Sequence, residues 1–182
     1  LFYTFLRVMR EMQLTKIIAT VRDNYELEKV IGLAEVKNYV LNLETNFKVQ
    51  KIREKKGLKT TDISMHMIFT GNPGTGKTTI ARIVAKYLKA IGILSSGHLC
   101  EVTRADLVGQ YVGHTAIKTT ELINDAIGGV LFIDEAYSLC RNKDDTFGLE
   151  AIDALVKGME DNRDNLVVIL AGYQKEMNEF LK

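Results

Sequence analysis

The sequence contains no tryptophan, one proline, two cysteines and no excess of either charge. Lys and Arg number 24 against 23 Asp and Glu, for a net charge of +1, so the surplus of cations that general nucleic-acid binding draws on is missing. Cys100 and Cys140 fit no zinc spacing and make no disulfide framework, which points to a reducing compartment and a cytoplasmic location. The three histidines, His66, His98 and His114, are scattered. None reads as a metal ligand, and His66 and His98 fall in expected strands as structural residues. No apolar run approaches the roughly eighteen residues of a spanning helix. There is no internal repeat and no low-complexity segment. What is left, 182 residues of which 46% are hydrophobic, is ordinary for one globular domain with a substantial core.

The organising stretch is Gly71-Asn72-Pro73-Gly74-Thr75-Gly76-Lys77-Thr78-Thr79, preceded by the apolar run Met65 to Phe69 and followed by a helical pattern. Strand, glycine loop and helix in that order, with the spacing G-x-x-x-x-G-K-T, make a phosphate-binding P-loop. Glycines at 71, 74 and 76 let successive backbone N–H groups turn toward phosphate oxygens where a Cβ would obstruct them. The helix starting near Gly76 aims its unpaired N–H groups and positive dipole end at the same place. Lys77 adds a full charge, and the Thr78 hydroxyl suits Mg²⁺, a cation that takes oxygen ligands from one or two side chains, phosphates and water. Asn72, Pro73, Gly74, Thr75, Gly76, Lys77, Thr78 and Thr79 are therefore the expected nucleotide contacts.

Before the loop, residues 1 to 22 place Phe2, Phe5, Leu6 and Met9, then Leu14, Ile17, Ile18 and Val21, at helical spacing, so residues 1–24 read as an N-terminal helical extension. A second helical pattern runs Leu33, Val36, Val40, Leu43, Phe47 and stops among Lys51, Arg53, Lys55, Lys56 and Gly57, a solvated basic end with a glycine stop. Beyond the loop, Ile80, Ile83, Val84, Tyr87 and Leu88 form one helical face. His98 to Val102 reads as a strand, and Thr103 as the cap of a short helix. Gly109-Gln110-Tyr111-Val112-Gly113 is a loop that either exposes its aromatic or tucks Tyr111 into the core.

A helix from about Thr115 to Ile127 leads to Gly128-Gly129 and then to Val130-Leu131-Phe132-Ile133-Asp134-Glu135. Four apolar residues in a row suit a strand buried on both faces of a parallel sheet. The two acids emerge at its C-terminal end, where open α/β sheets bind ligands. This is a Walker B pattern: Asp134 would hold Mg²⁺, directly or through water, and Glu135 would polarise the attacking water. Leu149 to Met159 gives a further helix and Leu166 to Leu170 a further buried strand, ending at Ala171-Gly172-Tyr173. Strands alternating with helices predict a doubly wound parallel α/β sheet with helices on both faces.

The P-loop GNPGTGKTT, the segment DLVGQYVGHT, the run GGVLFIDEAYSL and the stretch NLVVILAGY, in this order and spacing, resemble the AAA+ ATPases of the CbbX (red-type Rubisco activase) and stage V sporulation protein K group, a group with related modules in type VII secretion ATPases. The resemblance covers residues 25–182, which it makes an AAA+ nucleotide-binding α/β subdomain; residues 1–24 carry none of it. It implies a ring, usually a homo-hexamer, that binds ATP and Mg²⁺, hydrolyses the ATP and pulls a client protein through its centre. By motif, Val30-Ile31-Gly32 would touch the adenine and Tyr111-Val112-Gly113 would form the pore loop. Glu135 and Lys77 would be catalytic, with Thr78 and Asp134 at the metal. Where the wider family places a polar sensor after the fourth strand, this chain has Gly172-Tyr173. The chain opens on Leu1 and stops at Phe180-Leu181-Lys182, inside an expected helix, and so reads as a fragment that ends before the family's arginine finger, helical lid and second sensor. Because an arginine finger contributes about 10³ to 10⁵ in rate, such a fragment should hydrolyse ATP weakly. A nucleic-acid motor or loader on the same fold, and a nucleotide-dependent scaffold without turnover, are the competing readings. Near-neutral charge counts against the first and Glu135 against the second.

Overall fold

A computed structural model of the protein describes residues 15–18, 34–59, 64–111, 113–142 and 144–181. Strands β1 (Thr15–Ile18), β2 (Met67–Thr70), β3 (Leu99–Val102), β4 (Val130–Ile133) and β5 (Val167–Gly172) form one sheet in the order β1-β2-β5-β4-β3. Every pairing is parallel, with Met67 beside Ile169, Val130 beside Val167 and Leu99 beside Val130. The helices are α1 (Ala34–Lys55), α2 (Lys77–Ala90), α3 (Arg104–Leu107), α4 (His114–Ala126), α5 (Thr146–Asp161) and α6 (Gln174–Phe180), with a 3₁₀ turn at Ala136–Leu139. This is the doubly wound α/β architecture expected from the alternation of strand and helix patterns.

The period of two along each strand divides the core into two layers. Met67 and Phe69 of β2, Val130 and Phe132 of β4, and Val167, Ile169 and Ala171 of β5 face one side, where Ile80, Val84 and Leu88 of α2 cover them. Ile68, Leu131, Ile133, Val168 and Leu170 face the other, against Ile123 of α4, Ile152, Leu155 and Met159 of α5, and Met177 of α6. Both faces of β2, β4 and β5 are buried, which is why these strands are written as unbroken apolar runs.

One expectation is corrected. Ile17 and Ile18, placed on an N-terminal helix by their spacing, lie instead in β1, which pairs in parallel with β2, Thr15 beside Met67 and Ile18 beside Thr70. The free backbone edge of β2 supplies hydrogen-bond partners that a helix of this segment would leave unused, and β-branched residues suit the extended form. The other residues of that expected helix lie outside the described residues. His66 and His98 each stand one position before a strand rather than within it.

Candidate functional site at the C-terminal edge of the sheet

In a parallel sheet all strands deliver their C-terminal ends to one edge, and the order of this sheet puts β5 between β2 and β4. The glycine loop leaving β2, the acid pair leaving β4 and Gly172-Tyr173 leaving β5 therefore meet. Pro73, Gly74, Thr75, Gly76, Lys77, Thr78 and Thr79, with Asp134, Glu135, Gly172 and Tyr173, line one cavity of about 420 Å³. Asn72 is exposed beside it. A larger concavity, about 730 Å³, lies between α4 and α5; it has no glycine loop, and the chemistry of the lining, not the size, selects the smaller one.

The loop has the backbone that anion binding asks for. Gly74 and Gly76 take φ of 71 and 77 degrees, in the left-handed region where a side chain is strained. Gly76 is the N-cap of α2, no side chain caps that helix, and its first turn holds no acid, whereas α5 is capped by Asp145 accepting from the Gly148 N–H. The α2 N-terminus thus keeps its donors and dipole for a ligand. Lys77 Nζ donates to the Gly71 and Asn72 carbonyls at 3.0 and 3.1 Å and stands 5.5 Å from the centre of the Tyr173 ring. The Thr75 hydroxyl donates to the Asn72 carbonyl at 2.8 Å, tying the loop across its turn.

On the facing side, the Glu135 N–H donates to Asp134 Oδ1 at 2.9 Å. Glu135 has φ 48 and ψ 44, a left-handed conformation that costs a non-glycine residue about 1–2 kcal/mol. Such strain concentrates where a side chain must be aimed. Thr78 and Asp134 offer hard oxygens to one cavity, the donor type that Mg²⁺ takes with phosphate and water. Among the described residues no cluster of three His, Cys, Asp or Glu forms a closed metal cage.

Sequence reasoning missed two side chains here. Glu101, on β3, accepts from Arg82 Nη2 at 3.1 Å and from the Thr78 hydroxyl at 3.4 Å. Its one trace in the sequence is a charge inside an otherwise apolar run. Tyr137, in the 3₁₀ turn, packs its ring 5.9 Å from that of Tyr173, and only the topology brings the two together. Tyr111 lies away from this cavity and is 67% exposed, its ring edge-on to His114 at 5.5 Å, so it is not tucked into the core. Gly113, with φ 83, ends its loop. Val30, Ile31, Gly32 and Val112, expected at the adenine and in the pore loop, lie outside the described residues.

Residues 67–180 match the family model described as "ATPase family associated with various cellular activities (AAA)". Stage V sporulation protein K of Bacillus subtilis (strain 168) is 50% identical over 156 residues, covering 86% of this chain and 48% of that protein. A chloroplastic ribulose bisphosphate carboxylase/oxygenase activase of Cyanidioschyzon merolae is 48% identical over 164 residues, or 90% of this chain and 56% of the relative. ESX-1 secretion system protein EccA1 of Mycobacterium tuberculosis is 48% identical over 160 residues, 86% of this chain and 28% of its own. The chain spans about half the length, or less, of these relatives. Among solved structures, the crystal structure of the FIGL-1 AAA domain in complex with ADP matches with a TM-score of 0.58 at 23% identity, covering 93% of this chain and 56% of that one, a likeness of fold. With a family model spanning most of its length and relatives at half identity, the chain belongs to the AAA family of ATPases.

Proposed function

We propose that this chain is the nucleotide-binding and hydrolysing part of a cytoplasmic, ring-forming AAA+ protein that remodels a protein client. The convergence of the glycine loop, Lys77, Thr78, Asp134 and Glu135 on one cavity carries the reading. The N–H groups of residues 74 to 79 would cradle the ATP phosphates, with Lys77 exchanging its carbonyl partners for phosphate oxygens. Thr78 and Asp134 would hold Mg²⁺, whose chemistry is to neutralise charge on the phosphates. Glu135 would accept a hydrogen bond from the attacking water and polarise it. Val30-Ile31-Gly32 would meet the adenine. The aromatic loop around Tyr111, Val112 and Gly113 would grip the client in the centre of a homo-hexameric ring. The relatives are named for sporulation, Rubisco activation and secretion, and the site chemistry does not choose a client. No described helix is long and apolar enough to cross a membrane.

The test is Glu135→Gln in the full-length protein. The amide keeps the shape of the carboxylate and loses its basicity, so steady-state phosphate release should fall by about 10² or more, while calorimetric ATP affinity in Mg²⁺ stays near that of the wild type. Undiminished phosphate release by the variant removes Glu135 from this role.

A further inference from the structure

Glu101 stands in β3, an end strand of the described sheet. Its register partner on β4 is Phe132, which belongs to the layer covered by α2, so Glu101 faces α2 as well. Thr78 and Arg82, four residues apart, share the side of α2 that meets it. The two carboxylate oxygens are divided between them: Oε1 accepts from the Thr78 hydroxyl at 3.4 Å and Oε2 from Arg82 Nη2 at 3.1 Å. The Asp134 N–H donates to the Val102 carbonyl at 2.9 Å and so carries the ladder between β3 and β4 past Ile133. Two residues beyond Phe132, Asp134 falls on the same sheet face as Glu101. Glu101 does not line the phosphate cavity, whereas Thr78 and Asp134 do. It reaches the cavity through the Thr78 hydroxyl.

An exposed ion pair such as Arg82 with Glu101, at 61% and 40% side-chain exposure, contributes little to stability. A charge on an edge strand guards against stray pairing, but lysine does that as well as glutamate. Neither role calls for a carboxylate oxygen on Thr78. A threonine hydroxyl has one proton and two acceptor lone pairs. With the proton turned into the cavity it repels a cation; with the proton given to an acceptor outside, its lone pairs face inward. Groups behind a metal's ligands commonly orient them in this way. We infer that Glu101 is a positioning residue for the divalent cation of the phosphate cavity, accepting the Thr78 proton so that the hydroxyl oxygen is presented to the metal, with Arg82 holding the second carboxylate oxygen. The inference rests on the nucleotide-site reading above.

The experiment measures the calorimetric affinity of the full-length protein for a non-hydrolysable ATP analogue, once in Mg²⁺ and once in EDTA. The ratio of the two is the gain due to the metal. It is compared for the wild type, Glu101→Gln, Arg82→Met and the two combined. Glu101→Gln should cut the ratio by about 10-fold, while affinity in EDTA moves less than about twofold. The amide has one acceptor oxygen for two donors, and the charged Arg82 takes it, which leaves the NH₂ group to face Thr78 and occupy a lone pair. In the combined variant the amide oxygen is free for Thr78, so the ratio should recover by more than Arg82→Met alone raises it. Without that extra recovery the lost negative charge explains the effect, and the proposal is overturned. An equal loss of affinity in Mg²⁺ and in EDTA also overturns it, because Glu101 would then shape the loop and not the metal site. If the wild type gains affinity from Mg²⁺ and Glu101→Gln keeps the gain, the Glu101 assignment fails alone. If the wild type binds no analogue, or gains nothing from Mg²⁺, the nucleotide-site reading fails and takes Glu101 with it.

Discussion

At the scale of single residues, His66 shows what the interior demands of a titratable group. Its imidazole is 1% exposed, and Nδ1 accepts a hydrogen bond from the Val168 N–H at 2.9 Å, which requires that nitrogen to be unprotonated. Burial lowers its pKa to about 4, with the Met159 backbone pulling weakly the other way. The unfolded chain binds a proton near pH 6.5 and the folded chain does not, so stability is untouched above 6.5, falls as pH drops from about 6.5 to 4, and levels off below. The full loss is on the order of 3 kcal/mol at 1.36 kcal/mol per pKa unit. Urea unfolding at pH 7.0, 6.0 and 5.0 should show the midpoint falling for the wild type, and His66→Gln should flatten that part of the profile. Equal slopes for the two proteins would mean that the imidazole titrates freely in the fold. That His66 is structural could be read from its place in an apolar run; that it accepts from a strand 102 residues later could not, because no local pattern encodes it.

At the scale of elements, the Arg104 guanidinium links several pieces of the chain. It forks onto Asp145 at 2.7 and 2.9 Å and donates to the Ser138 and Leu139 carbonyls at 3.0 and 2.8 Å. It thereby joins α3, the 3₁₀ turn that follows Glu135, and the N-cap of α5. Burial pushes the Asp145 carboxyl up, but the Arg104 hydrogen bond and the Gly148 and Arg141 N–H groups outweigh it and hold the group below its ordinary value. The pair is largely buried, at 15% and 8% side-chain exposure. Arg104→Ala would strand the Asp145 carboxylate together with two carbonyls, and should cost about 3 kcal/mol in denaturant unfolding. Arg104→Lys, without the planar fork, should recover only part of it. A cost below about 1 kcal/mol for the alanine variant would show that water replaces the clamp. The helices joined this way were legible, since the face of α5 repeats at 3.6 residues and Thr103 announces α3, where a capping box forms with Asp106. The clamp was not, with its partners 41 residues apart. Nor was β1: the spacing Leu14, Ile17, Ile18, Val21 satisfies a helical period, and a four-residue strand offers too little alternation to oppose it. Only the vacant edge of β2, a property of the assembled sheet, decides between them.

At the scale of the whole molecule, the C-terminal edge of the sheet, proposed to bind nucleotide, and the exposed aromatic loop are separate features, and the proposed activity needs both. The Tyr111 loop is pinned at its base and open at its tip. The Gly109 N–H donates to the Thr115 hydroxyl at 3.0 Å, and a Cβ on Gly109 would stand 2.8 Å from His114 Cβ, so the chain is held tightly where it enters α4. Tyr111 itself projects, 67% exposed, with its edge toward His114. A ring held this way presents a broad apolar face at small entropic cost, which suits gripping many peptide sequences in turn. Because so little of the side chain is buried, Tyr111→Ala should change domain stability by no more than about 0.5 kcal/mol. In the full-length protein the variant should bind ATP normally and keep much of its ATPase activity, since the phosphate cavity does not include Tyr111. It should fail to unfold a fluorescent test protein carrying an unstructured tail. Tyr111→Phe should unfold it nearly as well as the wild type, the ring face mattering more than the hydroxyl. ATPase rate and loss of fluorescence, measured on the same samples, separate the outcomes. If Tyr111→Ala unfolds the test protein at the wild-type rate, the loop does not grip the client and a nucleotide-dependent scaffold becomes the better account of the chain. If the ATPase rate falls in parallel with unfolding, the loop and the phosphate site act as one unit, and the two features cannot be assigned separate roles.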